Sequence, residues 1–101
     1  MKKILLCCAA GMSTSLLVNK MKAEAEKRGI EVEIWAEPLD KAKEEFKKAD
    51  VVLLGPQVKY ALPEAKKIAE ENNINIDVIN MVDYGMMNGA KVLDQALNLL
   101  K

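Results

Sequence analysis

The sequence predicts an α/β fold, a four-stranded parallel sheet with helices on both faces. Four short apolar runs rich in Ile, Val and Leu recur along the chain, as suits parallel strands covered on both sides. Between them lie amphipathic stretches of helical period, and such alternation means βαβ units joined by right-handed crossovers. Size agrees. The 101 residues, half of them apolar and 30% charged, are expected to form a single domain over residues 1–101. A chain of that length can bury an adequate core without disulfides or metal.

Taken in order, the first strand is Lys3–Cys8, "KILLCC". The helix after it spans Ser13–Arg28, with Leu17, Val18, Met21 and Ala25 on one face and Lys20, Glu24 and Lys27 opposite. Gly29 is placed as its stop. The second strand is Val32–Ala36, followed by a short charged helix over Pro38–Lys48 whose apolar side is Leu39, Ala42 and Phe46. Asp50–Gly55 is the third strand. Its helix, Tyr60–Asn73, turns Leu62, Ala65, Ile68 and Ala69 inward and ends in an Asn-Asn turn. Asn75–Asn80 is the fourth strand, and "MVDYGMMNG" leads to a last helix over Ala90–Leu100, apolar at Val92, Leu93, Ala96, Leu97 and Leu100. The methionines read mostly as core filler, with Met12 and Met86–Met87 as candidates for a partner surface. The charge runs at Lys41–Lys48 and Glu64–Glu71 solvate helix faces.

Composition excludes several functions. Fifteen basic residues balance fifteen acidic ones, so no electrostatic footprint for nucleic acid or an acidic membrane is present. The few aromatics, Trp35, Phe46, Tyr60 and Tyr84, are scattered singly and form no stacking platform. The opening "MKKILLCCAAGMS" looks superficially like a signal peptide, but its apolar run ends at Ala10, seven residues after Lys3. A buried first strand explains it better. No run is long enough to span a bilayer. Cys7 and Cys8 are adjacent, with Cα atoms about 3.8 Å apart, too close for a relaxed disulfide. Free thiols in a reducing cytoplasm are expected. Two adjacent thiols without any histidine cannot supply an ordinary zinc ligand set, and no cofactor is implied.

The chemistry concentrates where the first strand ends. In such a sheet ligands bind beyond the carboxyl ends of the strands. Cys8 stands there, and Ala9–Met12 must turn the chain into a helix starting at Ser13 or Thr14, either a competent N-cap. Backbone amides of Ala10 to Ser15 would converge above Cys8, joined by the helix dipole and the Ser13, Thr14 and Ser15 hydroxyls, as a phosphate-binding loop. Gly11 lets that loop close around a small group. The same field favours thiolate at Cys8, and a nucleophilic sulfur in a nest of N–H donors is what accepting a phosphoryl group requires. Cys7, by strand alternation, points the other way into the packed sheet. Two sites elsewhere face the same rim. Gln57, after the third strand, is a candidate contact to phosphate or a partner, or simply a polar turn residue. Tyr84, after the fourth, reads more readily as packing.

"CAAGMSTSLLVNKM", Cys8 to Met21, resembles the phosphocysteine loop of the enzyme IIB component of the bacterial sugar phosphotransferase system, lactose/cellobiose (chitobiose) class. "ADVVLLGPQVKYALPE" (Ala49–Glu64) and "DYGMMNGAKVL" (Asp83–Leu93) match the same family, so the likeness runs the length of the chain. It implies a four-stranded parallel sheet and a phosphorylated cysteine, which the motif places at Cys8. It implies that Cys8 takes phosphate from a histidine on the IIA protein and passes it to a sugar carried by the membrane IIC protein. Ala9, Ala10, Gly11, Met12, Ser13, Thr14 and Ser15 are the implied phosphate-binding residues. The one departure is Cys7, where a bulky apolar residue is common in the family.

Low-molecular-weight tyrosine phosphatases and arsenate reductases are the rival class, with a similar strand, loop and helix. In the phosphatases an arginine follows the cysteine after five residues, and that position is Thr14 here. No basic residue lies between Lys3 and Lys20. A phosphatase needs a bidentate guanidinium on the phosphate and an acid for the leaving group. A carrier needs a thiophosphate that resists water yet passes onward, and amides and hydroxyls without arginine fit that. A third class, a partner-binding domain with inert cysteines, leaves the loop's composition unexplained.

Overall fold

The structure, a computed structural model, describes residues 1–8 and 12–100, with backbone alone at 12 and 13. The strands are β1 (Lys2–Cys8), β2 (Val32–Pro38), β3 (Val51–Leu54) and β4 (Asn75–Val78). The helices are α1 (Met12–Arg28), α2 (Leu39–Glu45), α3 (Leu62–Glu71), α4 (Met81–Gly85) and α5 (Gly89–Leu99). Single 3-10 segments follow α2 over Phe46–Lys48 and precede α3 over Pro56–Ala61.

The sheet runs β2-β1-β3-β4 and every pairing is parallel. In register, Leu5 faces Trp35 on one side and Val52 on the other, and Val52 in turn faces Ile76. Strand alternation divides the interior into two cores. On one face Ile4, Leu6, Ile34, Val51 and Leu53 pack under Leu17 and Met21 of α1 and Val92 and Leu93 of α5. On the other, Leu5, Cys7, Val52 and Leu54 pack against Ala42, Phe46, Ala65 and Ala69. Leu5, Leu6, Leu53 and Leu54 are wholly buried, each contributing about 2 kcal/mol relative to exposure.

This topology decides where a site can form. From β1 the chain steps to β2 on one side, then passes back over β1 to reach β3 on the other. The helices after β1 and β3, α1 and α3, therefore pack on opposite faces of the sheet, and in such sheets ligands bind at the carboxyl ends of the two strands where this reversal falls. Cys8 ends β1, and Gly55-Pro56-Gln57 follows β3.

The helix ends are written in the sequence. Gly29 sits at φ +70° and lets the Ile30 N–H return to the Ala25 carbonyl at 2.9 Å. Asn73, at φ +57°, does the same for Ile74 and Ala69 at 2.8 Å. Both are the left-handed closure that Gly and Asn favour. Arg28 holds Glu24 at 2.7 Å and Asp94 at 2.6 Å, tying α1 to α5. Its hydrogen bond keeps the Asp94 carboxyl below the usual carboxylate range.

Four expectations need correction. Helix α1 begins at Met12, so Ser13 and Thr14 lie inside its first turn and are not its cap. The third helix proper starts at Leu62, not Tyr60, because Pro63 lacks an N–H and belongs to a first turn. Strand β4 stops at Val78; Asn80 instead caps α4, its side chain accepting from the Val82 N–H at 2.9 Å and the Asp83 N–H at 3.2 Å. Finally, among the described methionine side chains only Met21 is core and Met87 packs against it. Met1, Met81 and Met86 are exposed.

Candidate functional site

Cys8 is the last residue of β1, level with Pro38 of β2. On its other side the Gly55 N–H extends the ladder by bonding the Cys7 carbonyl at 2.8 Å. The Cys8 side chain is buried, on the face it shares by alternation with Ile4 and Leu6. Its Sγ lies 3.8 Å from the Glu37 carbonyl oxygen, a weak S–H donation.

Cys7 occupies the opposite environment. It belongs to the second core with Leu5, Phe46, Leu54 and Val58. Burial, and then the neighbouring Cys8, push its thiol from 9.0 up to about 12. A thiol held neutral that far into the alkaline range is no nucleophile at neutral pH. The two adjacent cysteines thus differ in kind.

That shift makes a stability prediction. The unfolded thiol ionises near its ordinary value while the folded one stays protonated to about 12, so between these values the unfolded chain binds fewer protons. The contribution of Cys7 to stability is intact below about pH 9 and is lost as the pH climbs toward 12. Denaturant unfolding of the wild type and Cys7→Ala across pH 8 to 11 should show a shallower alkaline decline in the variant. Parallel declines would mean that Cys7 is not held neutral.

Three segments, the first turn of α1, the 3-10 segment after β3 and α4, meet at the rim. Thr14, in the first turn of α1, is the one wholly buried polar side chain among the described residues. Its Oγ1 lies 3.2 Å from the hydroxyl of Tyr84 on α4. The Gln57 amide, from the segment after β3, donates to that same hydroxyl at 2.9 Å. The residues after β1, β3 and β4 that the sequence pointed to are therefore joined by hydrogen bonds. Tyr84 also packs its ring against the first core. Ser15 is on the same first turn, exposed. Ala9, Ala10 and Gly11, and the side chains of Met12 and Ser13, lie outside the described residues. Among the described residues no three His, Cys, Asp or Glu side chains converge as a metal site requires.

Sequence reasoning missed the joining of Gln57, Tyr84 and Thr14, and it missed the Glu37 carbonyl beside Cys8. Strand ends signal that these residues share a rim, but nothing in a pattern of residues says which hydroxyl meets which amide.

A parallel sheet with a buried cysteine at the carboxyl end of an inner strand, and a helix that begins four residues later, defines a small α/β domain with a thiol at the ligand-binding end of its sheet. The family is narrower. The chain belongs to the family "PTS system, Lactose/Cellobiose specific IIB subunit", whose model matches residues 3–95. It is 55% identical over 99% of its length, and 97% of the relative's, to the oligo-beta-mannoside-specific EIIB component of Bacillus subtilis. It is 50% identical to the galactose-specific EIIB component of Lactococcus lactis subsp. cremoris, covering 98% of this chain and 96% of that one. Among solved structures, the cellobiose-specific IIB component of Borrelia burgdorferi superposes with TM-score 0.81 at 40% identity, over 98% of this chain and 91% of that one. The lactose-specific IIB domain of Streptococcus pneumoniae gives TM-score 0.90 over 99% and 98% of the two chains, and at 22% identity it speaks for the fold. The protein is thus a phosphotransferase component, a phosphoryl carrier of a sugar phosphotransferase system. No described helix is long and apolar enough to cross a membrane.

Proposed function

We propose that Cys8 carries the phosphoryl group, taking it from a phosphohistidine on a IIA protein and passing it to a sugar held by a membrane IIC protein on the cytoplasmic side. The observation that supports this most is the contrast between the two thiols. Cys7 is sealed in an apolar core and pushed up to about 12, whereas Cys8 is the last residue of β1, at the carboxyl end of the sheet and four positions before α1 begins. The sugar is of the cellobiose, lactose or chitobiose type. The relatives are named for oligo-beta-mannoside, galactose and cellobiose, a spread that selects no one sugar.

In the first step the Cys8 thiolate attacks phosphorus in line. The P–S bond forms as the P–N bond to histidine breaks, and the imidazole leaves. The amides of residues 9 to 15, and the hydroxyls of Ser13, Thr14 and Ser15, take the charge on the three equatorial oxygens. In the second step a sugar hydroxyl attacks and Cys8 leaves as thiolate. Because Cys8 is buried, each transfer requires the site to open onto its partner. The loop itself supplies no guanidinium to stabilise hydrolysis, since no basic residue lies between Lys3 and Lys20.

The test is the fate of the phosphorylated chain. Isolated after phosphorylation, it should keep its phosphoryl group in buffer and lose it quickly to membranes bearing the IIC partner with sugar. Rapid release of free phosphate without any acceptor would instead make the protein a phosphatase.

A further inference from the structure

We propose that the Gln95 side chain takes the place of a fifth strand along the outer edge of β4, closing that edge to strand pairing with a second copy of the chain.

An edge strand presents unpaired N–H and C=O groups, a template on which another chain can add a strand. The sheet has two edges, β2 and β4. Along β2 stand Glu33, Glu37 and Pro38, the charges and the proline that discourage such pairing. β4 reads Asn-Ile-Asp-Val, with a single charge and no proline. Its inner side is set by the ladder. Leu54 is level with Val78, and its carbonyl accepts from the Ile79 N–H at 2.8 Å. Backbone groups alternate sides along a parallel strand, so those of Ile76 and Val78 and the Asn80 N–H point outward. A second copy is the partner always at hand, since it brings a β4 edge of the same length.

Gln95, on α5, meets these outward groups as a neighbouring strand would. Its Nε2 donates to the Val78 carbonyl at 2.8 Å, and its Oε1 accepts from the Asn80 N–H at a longer 3.4 Å. In a parallel ladder one residue of the adjoining strand makes this same pair of bonds, to one carbonyl and to the N–H two positions on. A side-chain amide has the donor and the acceptor of a peptide group, so it can fill that place. The Val78 N–H is held by Asp77 Oδ1 at 2.8 Å, and Asp77 Oδ2 accepts from Gln95 Nε2 at 3.2 Å. Every outward backbone group of Val78, and the Asn80 N–H beyond it, is thus taken by a side chain. At the other end of the strand the Asn75 side chain reaches the Leu99 carbonyl, so α5 is tied to β4 at both of its ends.

The experiment compares full-length wild type with Gln95→Ala by sedimentation equilibrium over a wide range of concentration, with hydrogen exchange of the Ile76 and Asn80 amides read by NMR. Alanine suits a helix, so the fold should hold, checked by thermal unfolding. Gln95→Met, which keeps the length of the side chain and loses both bonds, is measured beside it. Each variant should self-associate about tenfold more tightly than wild type, the scale of two freed backbone hydrogen bonds. In the associated form the Ile76 and Asn80 amides should become protected by the second copy. Equal association of variants and wild type would overturn the closure, and so would association that leaves both amides exchanging freely. The wild-type chain supplies a check that needs no variant. Its Asn80 amide should exchange at least about tenfold more slowly than in an unstructured peptide, and exchange at the unstructured rate would remove Gln95 from the edge.

Discussion

Cys8→Ser is expected to abolish phosphoryl acceptance, whereas Cys7→Ser retains it. Both residues are buried, so the difference lies in what each thiol faces. At position 8 a serine hydroxyl has a polar acceptor nearby, the Glu37 carbonyl that Cys8 Sγ approaches at 3.8 Å, which it reaches after a small shift, and the fold should survive. Its oxygen is barely ionised at neutral pH and cannot replace a thiolate. At position 7 the hydroxyl enters an apolar core of Leu5, Phe46, Leu54 and Val58 and costs about 1–3 kcal/mol of stability. The inactive variant should therefore be the more stable of the two. Acceptance is read by intact mass after incubation with phosphoenolpyruvate, the general phosphotransferase proteins and a IIA protein, and stability by denaturant melts. Equal loss of acceptance in two folded variants would mean that the nucleophile has been misassigned.

Among the described glycines, Gly89→Ala is expected to be the most disruptive through steric clash. Gly89 opens α5 where that helix crosses α1. A Cβ there would stand 2.7 Å from the Lys20 carbonyl carbon and 2.8 Å from both Lys20 Cβ and the Met21 nitrogen. Two of those three atoms are backbone, so relief requires α1 and α5 to part, and the first core lies between them. Overpacking of this kind costs about 1–3 kcal/mol, outweighing the better helix propensity of alanine, about 1 kcal/mol at most. Gly85 is the matched control. It has nothing within 4 Å of its would-be Cβ, and Gly85→Ala should stay within about 0.5 kcal/mol of wild type. For a chain of this size the Gly89 variant should melt about 5–15 °C lower. Equal melting temperatures for the two alanine variants would show that the helices give way freely and that the close approach is not fixed.

The layers of the fold were legible because the inner strands β1 and β3 bury both faces and each long helix one. Runs such as Ile4–Leu6 and Val51–Leu54 can be nothing but interior, and the stripe of Leu17, Val18, Met21 and Ala25 allows one docking face. The strand order was not written there. Alternation requires parallel strands, but whether β3 lies beside β1 or β2 depends on crossovers that no local pattern encodes. Short elements were also lost: α4 has five residues, too few for a helical period, and only Asn80 as a cap hinted at it. At the site, Cys8 was legible because strand end, glycine, hydroxyls and helix start fall within eight residues. Gln57 and Tyr84 were legible as rim residues and no further, since their hydrogen bonds to each other and to Thr14 span 27 and 70 positions.

The central claim, that Cys8 is the residue that carries phosphate, is tested most directly by locating the group. The wild-type chain is phosphorylated through the phosphoenolpyruvate relay, digested under conditions that preserve thiophosphate, and fragmented in the mass spectrometer. One phosphoryl group on Cys8, with Cys7 and the Ser13-Thr14-Ser15 hydroxyls unmodified, is the result expected. A phosphoryl group found on Cys7 or on any of those hydroxyls, with Cys8 free, would contradict it.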